Sequence, residues 1–184
     1  SEMCIRDRLQ IFSHELCTMK YSHIREKYAI MIEKEVSWEE PSRAFRGREG
    51  GWEAFGLARK CKILISDDSK LLRKQLREEL EALDCEVIET ENGKEAIAES
   101  LGDRPDGVIL DIVMPEVNGI EALRVIKEVD DTIPVIMLSS AGTPEKLMET
   151  LKLGALDFIQ KPYTPEQIKN AITRIRKKAG LDEQ

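Results

Sequence analysis

From Lys62 onward the chain alternates five short apolar runs with five amphipathic stretches, and this rhythm constrains the fold more than any other feature. Strands are predicted over 62–66 (KILIS), 86–89 (EVIE), 107–110 (GVIL), 134–138 (PVIML) and 157–160 (DFIQ). Helices are predicted over 71–83, 94–101, 120–129, 145–153 and 166–178. In the first helix Leu71, Leu72, Leu76, Leu80 and Leu83 recur at near-helical spacing, which predicts one shared apolar face. Asn92-Gly93 and Thr143-Pro144 read as helix entries, and Thr164-Pro165 as an N-cap followed by a proline in the first turn. The first, third and fourth runs are apolar almost throughout, as in strands covered on both faces. The alternation therefore predicts an α/β domain built on a doubly wound parallel sheet.

Charge and cysteine usage narrow the function. Lys plus Arg number 28 against 35 Asp plus Glu, and the net charge of −7 argues against a general nucleic-acid or anionic-membrane surface. No run approaches the roughly 18 to 20 apolar residues needed to cross a bilayer, so no membrane insertion is expected. The four cysteines form no CxxC pair, and only His14 and His23 could complete a soft-metal site, which argues against zinc and iron–sulfur roles. Isolated cysteines without a secretory signal fit a reducing cytoplasm. Cys61 and Cys85 read as ordinary strand-flanking residues.

The residues are unevenly spread. Residues 1–56 hold both histidines and both tryptophans, with one candidate helix over 22–36 and a turn-rich polar stretch over 41–56. Residues 57–184 hold 19 basic and 25 acidic side chains, with Phe158 and Tyr163 as their only aromatics. This second part is where function is expected.

In parallel α/β sheets ligands bind beyond the carboxyl ends of the strands. The first run ends at Asp67-Asp68, the third at Asp111, the fourth at Ser139-Ser140 and the fifth at Lys161-Pro162. Three carboxylates brought together repel one another unless a proton is retained or a cation is bound. Oxygen ligands without His or Cys point to Mg²⁺, which commonly takes a few carboxylates and keeps waters. Asp111 could then attack phosphorus in line, with the metal and Lys161 neutralising charge and Ser139 donating a hydrogen bond.

Residues 60–180 resemble the receiver domain of bacterial response regulators, especially stand-alone CheY-like members. The resemblance rests on Ile63-Leu64-Ile65-Ser66-Asp67-Asp68-Ser69, on Leu110-Asp111-Ile112-Val113-Met114-Pro115 with Gly119, and on Leu138-Ser139-Ser140 followed by Lys161-Pro162. Steps of 43 residues from Asp68 to Asp111, 28 to Ser139 and 22 to Lys161 suit the family pattern. The resemblance implies a flavodoxin-like (βα)5 fold with strand order 2-1-3-4-5. It implies Mg²⁺ on Asp67, Asp68, Asp111 and the Val113 carbonyl. Asp111 is then the phosphorylated residue, taking its phosphoryl group from a sensor histidine kinase or a phosphotransfer protein, with Ser139 and Lys161 on the phosphoryl oxygens. Phe158 matches the aromatic switch that changes rotamer as Ser139 moves. The implied output is a phosphorylation-gated protein surface formed by the fourth helix, fifth strand and fifth helix. No direct nucleic-acid contact is expected, and the chain is expected as a monomer or a weak phosphorylation-dependent dimer.

Two alternatives stay open. A haloacid-dehalogenase-like phosphatase also uses a strand-end Asp with Mg²⁺, but typically carries a second Asp two residues later, where this chain has Val113. A transcriptional regulator truncated before its DNA-binding domain is the other. Only 23 residues follow Lys161, enough for the last helix and a short tail. The opening octet, Ser1-Glu2-Met3-Cys4-Ile5-Arg6-Asp7-Arg8, resembles the translation of a transposase adapter used in sequencing libraries. It implies that residues 1–56 are non-native read-through and that the receiver begins near Leu57. A partly helical native extension is the alternative.

Overall fold

The computed structural model describes residues 59–140 and 143–181. The expectations placed on residues 1–56, including the helix over 22–36, lie outside the described residues.

Five strands are present: β1 (Cys61–Ser66), β2 (Cys85–Thr90), β3 (Gly107–Asp111), β4 (Val135–Ser139) and β5 (Asp157–Gln160). They alternate with α1 (Lys70–Ala82), α2 (Gly93–Gly102), α3 (Gly119–Val129), α4 (Pro144–Lys152) and α5 (Pro165–Lys178). All pairings are parallel and the spatial order is β2-β1-β3-β4-β5, the order implied by the resemblance. Among the described residues no helix is long and apolar enough to cross a membrane.

The helices start where side-chain oxygens can satisfy the free N–H groups of their first turns. Ser69, Asn92, Asn118, Thr143 and Thr164 each accept from a backbone N–H of the helix that follows. Thr164 and Gln167 complete a reciprocal capping box ahead of α5. Proline opens both α4 and α5, so each begins one residue earlier than the periodicity suggested. The start of β4 shifts the other way: Pro134 has no N–H to give a ladder and contributes only its carbonyl, to Val108 N at 2.9 Å.

Alternation along the strands sorts the core onto two faces. Ile63 and Ile65 of β1, Ile109 of β3, Ile136 and Leu138 of β4 and Ile159 of β5 pack with Leu76 and Leu80 of α1 and with Ile168, Ile172 and Ile175 of α5. Leu64, Val108, Leu110, Val135 and Met137 alternate to the opposite face and are equally buried. Central strands β3 and β4 are buried at every position, as their apolar runs required.

One expectation for α1 fails. Leu71 is 66% exposed, because its direct neighbour Leu72 lies about 100° away and it is Leu72 that keeps step with Leu76 and Leu80. The inward place that a helix surface would normally give to an apolar residue belongs instead to Arg73, 5% exposed.

Candidate functional site

The carboxyl ends of the strands gather the acidic residues. A carboxylate oxygen from each of Asp67, Asp68 and Asp111 lies within 4.8 Å of the others, with Asp67 and Asp111 buried and Asp68 exposed. Lys161 reaches in from the end of β5. Its Nζ lies 2.6 Å from Asp67 Oδ2 and 3.1 Å from Asp111 Oδ2. Strand alternation accounts for the convergence: Asp67, Asp111 and Lys161 continue the face that carries Ile65, Ile109 and Ile159.

Backbone restraints fix the cluster. Asp67 Oδ1 accepts from Ser69 N at 2.8 Å, which ties the acidic loop to the start of α1. Arg73 donates to the Asp67 carbonyl at 2.7 Å, and its guanidinium also meets Glu89 and Glu91 beside β2. Lys161 N donates to the Ser139 carbonyl at 2.8 Å, and the Lys161–Pro162 peptide that follows is cis. Gly119 N donates to the Ile112 carbonyl at 3.1 Å, closing the loop after Asp111. A Cβ on Gly119 would stand 2.0 Å from the Asp111 carbonyl oxygen, so only glycine lets this loop close.

Electrostatics distinguish the two oxygens of Asp111. Oδ2 faces the Lys161 ammonium, whereas Oδ1 is buried and has no hydrogen-bond partner of normal geometry. Burial pushes the Asp111 carboxyl above its ordinary range; Lys161 opposes the rise and Asp67 adds to it. Three carboxylates and one ammonium leave two formal negative charges among oxygen donors. That donor set fits a hard divalent cation such as Mg²⁺.

The remaining expected residues are close by. Val113 lies in the loop two residues past Asp111, and its backbone N–H approaches that carboxylate closely enough to favour the ionised form. The residue is 52% exposed. Ser139 is fully buried at the end of β4. Phe158 is half-buried on β5, paired in register with Met137, and so shares a sheet face with Ser139. Beside Lys161 an open groove of about 760 Å³ runs along α1, lined in part by Leu72, Gln75, Glu79, Ser140 and Tyr163. Burial raises the Glu79 carboxyl and pushes the Tyr163 phenol up to about 12.

The sequence profile of the response regulator receiver domain matches residues 63–173. The chain belongs to this family. A receiver of this CheY-like kind is a signalling domain of two-component systems. The chemotaxis protein CheY of Thermotoga maritima is 36% identical over 117 residues, covering 63% of this chain and 98% of that protein. A protein-glutamate methylesterase/protein-glutamine glutaminase of Archaeoglobus fulgidus is 45% identical over 105 residues, which cover 55% of this chain and 30% of that larger protein. The crystal structure of the response regulator domain of Thermotoga maritima CheB superposes with a TM-score of 0.58 at 32% identity, covering 68% of this chain and all of that one.

For this receiver, sequence reasoning located the residues at the strand ends but missed Arg73. An arginine on a helix surface gives no signal of burial. Its partners, a carbonyl six residues back and acids 16 and 18 residues ahead, become neighbours only when β2 pairs with β1.

Proposed function

We propose that the chain is the phosphoacceptor of a two-component relay, carrying its phosphoryl group on Asp111. The observation that supports this most directly is the asymmetry of Asp111: Lys161 holds Oδ2, while buried Oδ1 carries no hydrogen bond of normal geometry and keeps a lone pair for phosphorus. In the transfer, Oδ1 attacks the phosphorus of a phosphohistidine on a sensor kinase or phosphotransfer protein. The new O–P bond forms as the P–N bond breaks, and the leaving imidazole takes up a proton.

Asp67, Asp68, Asp111 and the Val113 carbonyl would hold Mg²⁺. When bound, the ion supplies positive charge to the phosphoryl oxygens. Lys161 serves the same oxygens as a short-range cation held in place by Asp67, and Ser139 supplies a hydroxyl from the end of β4. The groove along α1 ends at Lys161, on the side from which a donor protein would approach.

Output passes through α4, β5 and α5. Ser139 and Phe158 lie on one sheet face of adjacent strands, so a shift of Ser139 toward a phosphoryl oxygen frees space into which the Phe158 ring can turn. On α4, Met148 and Leu151 are 53% and 43% exposed, an apolar offering to a protein partner. Phosphorylation would shift a pre-existing equilibrium between two arrangements of this face.

The test is labelling of the full chain with a small acyl phosphate and Mg²⁺, read by intact mass. One phosphate is expected on the wild type and none on Asp111→Asn. Undiminished labelling of Asp111→Asn overturns the assignment.

A further inference from the structure

The opposite end of the same sheet face carries two thiols. Cys61 opens β1 and Cys85 opens β2, and the two are direct partners in the parallel register. Both belong to the core cluster between α1 and α5, so both side chains point to one face. Neighbouring strands lie about 4.8 Å apart, inside the roughly 4.4 to 6.8 Å over which two Cα atoms accept a disulfide. The Cys85 thiol donates to the Leu83 carbonyl at 3.8 Å, and the guanidinium of Arg176, on α5, donates to the Cys85 sulfur at 3.8 Å. The same guanidinium is anchored on the Leu83 carbonyl at 2.7 Å.

We propose that Cys61 and Cys85 form a hydroperoxide-oxidisable dithiol, a thiol modification site at the amino-terminal end of the sheet, with Arg176 beside the reacting sulfur of Cys85. Two features divide the roles. The neighbouring Cys61 thiol and the Arg176 charge hold Cys85 below the usual thiol range, against desolvation and the nearby Asp84. Cys61 is raised instead, by its pairing with Cys85, by burial and by Asp106 ahead of β3. Cys85 is therefore the attacking thiolate and Cys61 the resolving thiol.

The chemistry balances with hydrogen peroxide as the oxidant. The Cys85 thiolate attacks one peroxide oxygen; the O–O bond breaks, an S–O bond forms, and the departing hydroxide takes a proton to leave as water. Sulfur loses two electrons and becomes a sulfenic acid. The Cys61 sulfur then attacks Cys85 sulfur, the S–O bond breaks, and hydroxide leaves with the Cys61 proton as a second water. Cys61 and Cys85 are 3% and 4% exposed, so the reaction calls for a small oxidant such as hydrogen peroxide. The resulting disulfide would join β1 to β2, the strands that flank the loop of Asp67 and Asp68 and helix α1 with Arg73.

The full chain, treated with stoichiometric hydrogen peroxide and then alkylated, should yield linked Cys61 and Cys85 peptides two hydrogens lighter than the separate pair. The link should form about tenfold faster than Cys4 or Cys17 is oxidised, and dithiothreitol should reverse it once the chain is unfolded in urea. Cys61→Ala should stop at a Cys85 sulfenic acid that a 1,3-dione traps. Arg176→Met should slow the reaction severalfold, and Arg176→Lys, which restores the charge, should recover it. Absence of the link while Cys4 and Cys17 react, or equal rates in wild type and a folded Arg176→Met, would overturn the proposal.

Discussion

The two ends of one sheet face are organised in opposite ways. Asp67, Asp111 and Lys161 stand at the carboxyl end; Cys61 and Cys85 stand about 20 Å away at the amino end, six residues back along β1 at about 3.3 Å each. At the carboxyl end, charged groups are buried and one oxygen is left without a partner. At the amino end the buried groups are thiols, which pack as small apolar side chains, and the charged Arg176 sits at the rim. The difference is one of reference state: buried charge demands a compensating partner at all times, whereas a buried thiol demands one only when it ionises.

The largest effect should come from the same substitution made once at each end. A Cβ on Gly119 meets backbone, the Asp111 carbonyl oxygen at 2.0 Å, which has nowhere to move without disturbing the loop that carries Val113. Gly119→Ala should lose about 3 kcal/mol and with it the phosphoryl labelling. At the start of β3, a Cβ on Gly107 meets the Ile175 side chain, with Cγ2 at 2.5 Å and Cδ1 at 2.7 Å, and a rotamer change can relieve part of that overlap. Gly107→Ala should therefore cost about 1 kcal/mol and keep labelling. Urea denaturation of both variants measures the gap, and equal losses would break the contrast.

How far the sequence foretold these two ends follows from what each signal encodes. Continuous apolar runs identified β3 and β4, because burial on both faces leaves no room for alternation. The edge strand β2 was read as four residues and spans six, since its outer members Cys85 and Thr90 are enlisted by pairing with Cys61 and Ser66. The acidic residues, Ser139 and Lys161 were legible because a parallel sheet brings strand ends together whatever their separation in sequence. The Cys61–Cys85 pair was not. Flanking cysteines carry no periodicity, and their meeting depends on register rather than on composition. Leu71 was misplaced for a related reason: adjacent leucines cannot both face the core of a helix.

Charge compensation gives the next effect. Lys161 is about nine-tenths buried between two carboxylates, so Lys161→Met leaves them facing each other. A loss of about 3 kcal/mol is expected near neutral pH. The pH dependence has a definite sign. Burial already raises Asp111, and removing the ammonium raises it further. A carboxyl with a raised folded value contributes stability that is fully present below its unfolded value, about 3.9, and lost as pH rises through the folded value. The deficit of Lys161→Met should therefore shrink as pH falls toward the ordinary carboxylate range. A deficit that is flat from neutral pH down to about 4 would show that Lys161 stabilises by packing rather than by charge.

The smallest effect belongs to the thiol end and runs the same way with pH, in a higher window and for a different cause. Arg176→Met removes the hydrogen bond to the Leu83 carbonyl and the cation near Cys85; with these contacts only partly buried, about 1 kcal/mol is expected. Cys85 is held below the usual thiol range, so the stability that it contributes is present above the ordinary thiol value of about 8.5 and lost as pH falls through the lowered one. Cys61 is raised, and its own contribution starts to fall only above that ordinary value, so it does not interfere within the window. Around Cys85, Asp84 opposes the thiolate from the turn before β2, and Arg176 outweighs it from α5. The cost of Arg176→Met should accordingly be larger at a pH of about 8.5 than at about 6, opposite in cause to the Lys161 deficit though alike in direction. In a Cys85→Ser background the pH dependence of the Arg176→Met cost should disappear while the loss from the Leu83 contact persists. Persistence of the slope without the thiol would mean that Arg176 is tuned by Asp84 alone, and that the amino end of the sheet is a packing surface with no ionisable sulfur.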